Sequence, residues 1–242
     1  MQVIKLDAID STNDFLKQLE RESKADTFTV VIANNQTSGK GQFGSKWHSE
    51  PVKNLIMSIL LKDILLDKSK LFDLNILVSV TVYQVLNDLQ IPNIAIKWPN
   101  DIMADGKKVA GILIENSIKS DGTITAVVGI GLNLNQLNFE NLPNASSLQR
   151  ITGLNYDKED IAMCIRTTLQ FHLTLLYESP DSLWEKYDEN LFKKNELLNF
   201  VDATGNQFEG IIKRVNKDGR LEVLSSTNKR SYFDLKQIQI MI

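Results

Sequence analysis

Apolar residues recur along the chain with two different periods, and these periods predict an alternation of strands and helices. Short runs that are β-branched or almost continuously apolar predict strands over 26–35 and 54–62. Apolar residues at helical spacing, each series ending close to a proline or a turn, predict helices over 69–89, 157–178 and about 181–190. The pattern indicates a protein that contains both helices and strands.

Local start and turn signals refine this pattern. A helix is predicted to open at Ser11, with Asp14 placed as in a capping box. Three further β segments, 94–98, 101–118 and 122–135, contain or are separated by D-G turn sequences. Because D-G turns join antiparallel neighbours, we expect these segments to form hairpins within one mixed, mostly antiparallel sheet.

The last part of the chain has a different pattern. From about Leu197 onward it consists of short strands separated by turns, which is typical of a small SH3-like barrel. A barrel of this size buries little surface alone, so we expect it to dock on the rest of the protein. The predicted fold class is α+β, with a main domain over 1–192 and a small C-terminal domain over 193–242.

Composition excludes several classes of protein. The chain has 242 residues and a net charge of −3, which argues against a protein that coats nucleic acid. It shows no signal peptide, and no apolar run approaches the length of a membrane span, so we expect a cytoplasmic protein without membrane contact. Cys164 is the only cysteine, which excludes an internal disulfide, and we expect it to be packed inside a helix.

The stretch "SGKGQFGSKW", at 38–47, contains the G-x-G-x-x-G spacing of phosphate-binding loops. A dinucleotide fold requires a helix after the loop, but a β-rich run follows it here. A Walker A loop requires a lysine where Ser45 stands, and a protein kinase requires H-R-D and D-F-G sequences that the chain lacks. What remains is a flap between strands, with backbone N–H groups and two lysines, Lys40 and Lys46, available for an anion, or a plain mobile surface loop.

A second informative stretch is "KWPNDIMADGKKVAGILIE", at 97–115. Its P-N-D turn leaves the side chains of Asn100 and Asp101 free to face a site. Lys108 then begins a β run, where it is either a fixed cation for a developing phosphate charge or a solvated lysine beside a turn.

Two other features bear on possible chemistry. The run "GIGLNLN", at 129–135, places small residues in a strand, which indicates close approach of a ligand or a β-bulge, and Asn133 would be a polar group available to a ligand. The two histidines, His48 and His172, are predicted to be a surface residue and a core residue. Neither has a partner at metal-ligand spacing, so no structural metal is expected.

Taken together, five stretches in order resemble the biotin–protein ligases, also called biotin–[acetyl-CoA-carboxylase] synthetases. They are "STND" (11–14), "QTSGKGQFGSKW" (36–47), "KWPNDI" (97–102), "KVAGILIE" (108–115) and "GIGLNLN" (129–135). The resemblance implies a catalytic domain like that of class II aminoacyl-tRNA synthetases and biotin ligases, followed by the SH3-like barrel. It also implies two reactions: biotin and ATP give biotinyl-5′-AMP and pyrophosphate with Mg²⁺, and the biotinyl group then passes to a lysine of a biotin carboxyl carrier protein.

The resemblance also assigns roles to residues. Lys108 matches the catalytic lysine of the family, and Asp101 would lie by the magnesium ion. The biotin-binding set would be Ser11, Thr12, Gln36, Gly39, Lys40, Gly111 and Gly129. The set that binds ATP and the adenylate would be Lys40, Gln42, Trp47, Asn100, Lys108, Leu132 and Asn133.

The sequence departs from the family pattern in its glycine loop. The family usually has G-R-G-R, whereas this chain has lysine at Lys40 and an uncharged side chain at Gln42, so we expect looser retention of the adenylate. The chain begins almost at the catalytic domain, so we expect a monofunctional enzyme without the DNA-binding role of some relatives. A monomer and a homodimer both remain open, the latter through an edge strand such as 123–134.

Three alternatives remain beside this interpretation. Lipoate–protein ligases share the adenylating architecture. A non-catalytic sensor would bind biotin or its adenylate without turnover. A protein whose motifs are accidental would have neither property. Turnover on a carrier protein discriminates among them.

Overall fold

Seven strands form one mixed sheet in this computed structural model, which describes residues 2–65, 70–140 and 142–241. The strands are β1 (Val3–Ile9), β2 (Val30–Gln36), β3 (Leu55–Ile64), β4 (Ile94–Lys97), β5 (Asp101–Ala104), β6 (Lys107–Ile118) and β7 (Ile124–Leu132). Their order across the sheet is β1-β2-β3-β7-β6-β5-β4. Among the strands of the described residues, β1 and β2 alone pair in parallel in this sheet. The predicted D-G hairpins β5–β6 and β6–β7 are confirmed. The mixed, mostly antiparallel sheet is therefore the predicted one.

The described residues also form five α-helices. They are α1 (Thr12–Arg21), α2 (Phe72–Asp88), α3 (Leu148–Thr152), α4 (Lys158–Glu178) and α5 (Pro180–Glu189). Ser11 caps α1 as predicted, because its side chain accepts a hydrogen bond from the backbone N–H of Asp14. The predicted helix over 69–89 is α2, and Ser69 lies outside the described residues.

The two faces of the sheet differ because side chains alternate along each strand. On β7 the even-numbered residues Ala126, Val128 and Ile130 join the main hydrophobic core, where α2 and α4 pack. The opposite face carries a smaller cluster around Leu16 of α1 and Val127 of β7. Helices therefore cover one face fully and the other only in part, which leaves room for a site.

Five strands form a second, antiparallel sheet near the C-terminus. They are β8 (Leu197–Asp202), β9 (Gln207–Val215), β10 (Leu221–Ser225), β11 (Arg230–Phe233) and β12 (Ile238–Ile240). Their order is β11-β10-β9-β8-β12, and no pairing between the described residues joins β11 to β12. The sheet contacts the main body, because the indole Nε1 of Trp98 donates to the carbonyl oxygen of Gly219 at 2.9 Å.

Three predictions need correction, and one strand was missed. The strand predicted over 26–35 begins only at Val30, since a turn precedes it, and the strand β1 was not predicted. The segment 123–134 is not an edge, because β7 pairs with β3 on one side and with β6 on the other. Cys164 lies on α4 but is exposed, because it falls on the helix face turned away from the core.

In the described part of the chain no helix is long and apolar enough to span a bilayer.

Candidate active site

A buried polar cluster occupies one end of the open face of the sheet. The backbone N–H and Oγ1 of Thr12 both lie within hydrogen-bond distance of Gln36 Oε1, at 2.9 and 3.2 Å. Ser58 Oγ lies 2.8 Å from Thr12 Oγ1 and 2.6 Å from Oδ1 of Asn13. The cap at Ser11 produces this cluster, because it starts α1 directly over the sheet. The predicted residues Ser11, Thr12 and Gln36 are thus brought together.

Asn13 and Ser58 were not among the predicted site residues. Their signals were present in the sequence: Asn13 belongs to the quoted "STND", and Ser58 is the one hydroxyl in the apolar strand "LIMSILLKDI". Asn13 also explains the glycine at position 129. A Cβ on Gly129 would lie 2.6 Å from Asn13 Oδ1, so only glycine admits the polar cluster at this point of β7.

The glycine loop forms a hairpin flap, which is one of the two possibilities that its sequence left open. The backbones of Lys40 and Lys46 form an antiparallel β-bridge, and a short 3₁₀ turn, Gln42–Gly44, closes the loop. Gly39 lies at the base of the flap, where its carbonyl oxygen accepts a hydrogen bond from the backbone N–H of Trp47 at 2.9 Å and a Cβ would meet the carbonyl oxygen of Trp47 at 2.5 Å. It is not among the residues that line the cavity described below. Phe43 adopts a positive φ of 56° and is exposed.

Lys40 of the flap is tied to the first turn of α1. Its Nζ lies 2.5 Å from Oδ2 of Asp14, whose other carboxylate oxygen contacts Lys17. Partial burial acts to raise the pKa of Asp14, but the hydrogen bonds from Lys17 and Lys40 outweigh it and hold that pKa below its usual value. The flap is therefore closed over the polar end of the site by a charged contact.

Trp47 fills the middle of the open face. A Cβ on Gly131 would lie 2.3 Å from Cε2 of its ring, and a Cβ on Gly111 would lie 3.1 Å from Cζ3. Glycine at both positions is what allows the indole to lie flat against the sheet. The buried Nε1 of Trp47 has no hydrogen-bond partner among the described residues. A buried donor without a partner calls for an explanation, and a ligand bound here would supply the missing acceptor.

Beyond Trp47 lies a cluster of charged side chains from β4, β5 and β6. Lys108 Nζ and Asp101 Oδ1 are 2.6 Å apart, and Lys108 Nζ is 5.8 Å from the centroid of the Trp47 ring. Lys97 faces Asp101 across the β4–β5 pair. Burial lowers the pKa of Lys97, and the charge of Lys108 lowers it further against the opposing effect of Asp101. The predicted Lys108 and Asp101 thus lie together, while Lys97 was not predicted as a site residue.

Three predicted residues are placed differently from the rest. Asn100 lines the cavity, but its Nδ2 donates to the carbonyl oxygen of Ile112 at 2.7 Å and so fixes the turn. Leu132 is fully buried on the helix-covered face, because alternation along β7 turns it away from the cavity. Asn133 is buried, and its Nδ2 donates to the carbonyl oxygen of Ser146 at 3.0 Å. Neither Leu132 nor Asn133 is among the residues that line the cavity described next.

The polar cluster, the flap, Trp47 and the charged cluster line one cavity of about 360 Å³, which is in the size range of ligand pockets. The second sheet forms part of its wall through Leu221, Lys236 and residues of β12. Lys236 Nζ lies 4.3 Å from the ring centroid of Phe43, so the small sheet contacts the flap directly. No sequence signal pointed to this contact, because it depends on how the two sheets dock.

The two histidines lie outside the cavity. His48 is exposed, and His172 is buried against Thr81, as predicted for each. Among the described residues no group of three or more His, Cys, Asp or Glu side chains has the arrangement of a metal site.

Comparison with known proteins agrees with this geometry. A bifunctional ligase/repressor BirA of Bacillus spizizenii is 32% identical over 195 residues, which are 76% of this chain and 59% of that protein. A biotin–[acetyl-CoA-carboxylase] ligase of Mycobacterium tuberculosis is 26% identical over 195 residues, or 79% of this chain and 71% of that protein. The chain spans a little under three fifths of the curated relatives it matches first, at 59% and 58% of their lengths.

Similarity to solved structures extends over the whole fold. A biotin protein ligase from Aquifex aeolicus, in complex with biotin and ATP, is 25% identical with a TM-score of 0.81, and the match covers 99% of this chain and 98% of that chain. The profile of the biotin/lipoate A/B protein ligase family matches residues 6–135, which is more than half of the chain. The chain therefore belongs to the biotin/lipoate A/B protein ligase family.

Proposed function

We propose that the protein is a biotin–protein ligase, an ATP-dependent enzyme that forms a C–N bond. In the first step biotin and ATP give biotinyl-5′-AMP and pyrophosphate. In the second step the biotinyl group passes to a lysine of a biotin carboxyl carrier protein. The observation that carries the proposal is a single cavity in which a buried polar cluster, an indole with a free donor and the Asp101–Lys108 pair follow one another.

The polar end of the cavity suits the ureido ring of biotin. Ser11, Thr12 and Gln36 offer hydroxyl and amide groups that both donate and accept hydrogen bonds. An acid without a matching polar ring would displace water from these groups without offering them hydrogen bonds, which is how such a site discriminates. Gly129, Gly111 and Lys40 would border the rest of the biotin slot, and Gly39 would support it from the base of the flap.

The middle of the cavity suits the junction between acyl group and phosphate. Attack of the biotin carboxylate on the α-phosphorus concentrates negative charge at one point, and the Lys108 ammonium is a fixed cation there. Trp47 would pack on the adenine, with Gln42 and Asn100 bordering the phosphate. The flap would exclude water from the adenylate, which hydrolyses readily. We keep Asn133 as a proposed adenylate contact, which requires that the nucleotide reach past the Trp47 ring. The side chain of Leu132 lies on the helix-covered face, so Leu132 would meet the nucleotide only through its backbone.

Magnesium would be held by Asp101 together with the phosphates of ATP. Proteins usually bind Mg²⁺ through one or two carboxylates plus substrate phosphates, so a single carboxylate in this cavity fits such an ion. When bound, the ion would screen the phosphate charges during adenylation. No structural metal is proposed.

In the second step the amine of the carrier lysine attacks the acyl carbon of the adenylate. The C–N bond forms, the bond to the phosphate oxygen breaks, and AMP leaves with the electron pair while the amine releases its proton. We further propose that residues 193–242 form an SH3-like domain, that residues 1–192 form the catalytic domain, and that the enzyme works in the cytoplasm.

The test is a reaction of the purified protein with ATP, Mg²⁺ and either biotin or lipoate, analysed by mass spectrometry with and without a carrier domain. Biotinyl-AMP alone, replaced by a biotinylated lysine when the carrier is added, supports the proposal. Lipoyl products would assign the chain to the other branch of its family. Adenylate without transfer to any carrier would indicate a sensor.

Lys108→Ala should lower the rate of adenylate formation by about 10²–10³-fold, because it removes the fixed cation. Lys107→Ala is the matched control, since Lys107 is the exposed neighbour whose Nζ donates to the carbonyl oxygen of Pro143. Equal activity of the two variants would remove Lys108 from the mechanism.

A further inference from the structure

The polar cluster of the cavity is connected to a carboxylate that lies outside the cavity. Asn13 and Lys17 lie one turn apart on the same face of α1, and both contact Glu115 of β6. Asn13 Nδ2 lies 2.8 Å from Oε2 of Glu115, and Lys17 Nζ lies 2.8 Å from its Oε1. Asn13 lines the cavity, whereas Glu115 is not among the lining residues. Glu115 therefore contacts the polar cluster from behind.

The carboxylate of Glu115 fixes the orientation of the Asn13 amide. A carboxylate paired with a lysine accepts hydrogen bonds and donates none, so the part of the amide that faces it is the NH₂ group. The same nitrogen lies 3.5 Å from the carbonyl oxygen of Leu113, a long contact that favours the same orientation. The amide oxygen of Asn13, Oδ1, is thereby directed to Ser58 Oγ at 2.6 Å.

This orientation determines the direction of the hydroxyl protons in the cluster. Oδ1 of Asn13 only accepts, so Ser58 donates its one proton to it. Ser58 Oγ and Thr12 Oγ1 are 2.8 Å apart, a distance at which two hydroxyl oxygens share a proton, so Thr12 donates to Ser58. The backbone N–H of Thr12 holds Oε1 of Gln36 at 2.9 Å. Thr12 Oγ1 and Gln36 Oε1 then face each other at 3.2 Å with no proton between them.

Two acceptors that face each other in the wall of the cavity favour a ligand that supplies a donor. Thr12 and Gln36 both line the cavity. A cyclic urea carries two N–H donors beside its carbonyl group, and one N–H placed against these two oxygens would serve both. A ring with an oxygen atom at that position would leave both acceptors unpaired, and a buried polar group left unpaired weakens binding.

We propose that Glu115 is a positioning residue that selects the cyclic urea of biotin. Through the chain of hydrogen bonds to Thr12 it directs the hydroxyl protons away from the cavity, so that the wall presents acceptors to the N–H groups of the ring. Lys17 holds the carboxylate in place through its other oxygen. The inference rests on the proposed function, and it concerns only how the ring is recognised.

Glu115→Gln should reverse the direction of these protons without a change in side-chain size. The new amide would turn its oxygen to the Lys17 ammonium, which leaves its NH₂ group facing Asn13. Asn13 would then turn its oxygen to that group and its own NH₂ to Ser58, so that Ser58 donates to Thr12 instead. The Thr12 proton would be left for Gln36 Oε1, where it takes the place of the ligand's N–H.

The test compares biotin with its two carbamate analogues, in each of which a ring oxygen replaces one ureido N–H. The measured quantity is kcat/KM for adenylate formation. Wild type should prefer biotin to at least one analogue by about tenfold or more. In Glu115→Gln the KM for biotin should rise about tenfold, with kcat little changed, and that preference should shrink to about threefold or less. Damaged packing would lower kcat/KM for all three acids together, so the ratio separates the two causes.

Two further variants sharpen the test. Lys17→Met added to Glu115→Gln should recover part of the preference for biotin, because the new amide is then free to turn its oxygen to Asn13. Glu22→Gln is the matched control, since Glu22 is an exposed carboxylate that follows the last residue of α1 and also pairs with a lysine, Lys24, at 2.7 Å. This control should keep the kcat/KM and the preference of wild type.

The outcomes separate this inference from the proposed function. If wild type is active and Glu115→Gln keeps its full preference for biotin, the inference alone is overturned. A wild type that uses both analogues as well as biotin also overturns it, because no acceptor then selects the N–H. If wild type forms no biotinyl-AMP, the proposed function falls and this inference with it.

Discussion

The buried histidine makes the stability of the fold depend on pH. His172 on α4 is 4% exposed, and its Nδ1 lies 2.9 Å from Thr81 Oγ1 on α2. The Thr81 hydroxyl also donates to the carbonyl oxygen of Leu77 at 2.7 Å. Because a hydroxyl has one proton, the histidine is the donor from Nδ1 in this pair. Burial, with a smaller contribution from the charge of Lys186, lowers the pKa of His172 from 6.5 to about 4.

The low pKa of His172 determines how the free energy of unfolding changes with pH, and over which pH range. The pKa values of His172 in the unfolded and folded chain, 6.5 and about 4, differ by about 2.5. A pKa difference of one corresponds to about 1.36 kcal/mol in the free energy of unfolding. Between these values the unfolded chain binds the proton and the folded chain does not, so stability falls as the pH falls. The full loss is about 3.4 kcal/mol below pH 4, and about 2 kcal/mol is already lost at pH 5. Above about pH 7.5 the residue contributes almost no pH dependence.

The assay is urea unfolding at pH 7.5 and at pH 5, followed by circular dichroism. Carboxylates contribute to the acid sensitivity of every variant, so the informative quantity is a difference between variants. Wild type should lose about 2 kcal/mol more than His172→Asn between the two pH values. His48→Asn is the matched control and should behave like wild type, because His48 is exposed. If His172→Asn shows the same loss as wild type, the argument from burial is refuted.

Two further predictions concern the site itself. Gly131→Ala places a Cβ 2.3 Å from the Trp47 ring, so the indole must move. In an adenylation assay the KM for ATP should then rise at least about tenfold. An unchanged KM would show that the ring does not contact the nucleotide. Lys236→Met removes the cation that lies 4.3 Å from the centroid of the Phe43 ring. An exposed contact of this kind is worth about 0.5–1 kcal/mol. The rate at which biotinyl-AMP is released in the absence of carrier should therefore rise about two- to fivefold. Lys229→Met is the control, because Lys229 is an exposed lysine in the turn between β10 and β11. Equal release from both variants would contradict the role of Lys236.

Elements with local signals were predictable from the sequence. The helix α4 ends where expected, the cap at Ser11 is present, and both D-G hairpins form in the main sheet. These features depend on residues a few positions apart, so their physics is visible in a short window. The strand β1 was missed because its pairing partner is β2, which lies beyond α1, and its own alternation of apolar and polar residues is weak.

The same division applies to the site. Lys108, Asp101, Thr12 and Gln36 were predicted from motifs, and the structure places them along one cavity. Lys236 could not be predicted, because its place depends on the docking of two sheets that are far apart in sequence. Asn133 shows the opposite case: a polar residue beside glycines suggested a ligand contact, yet here its amide nitrogen is bound to a backbone carbonyl.

The glycines of the central strands show how sequence and chemistry are connected. Each of Gly111, Gly129 and Gly131 lies on the face that the large helices leave open, and a Cβ on any of them would meet a side chain of the site. Glycine weakens a strand, since it packs nothing and costs conformational entropy. Central strands tolerate three of them because the apolar residues between them bury fully against α2 and α4. The covered face thus supplies the stability that allows the open face to be shaped for a ligand. An alanine at any of the three positions should therefore impair the site more than the fold.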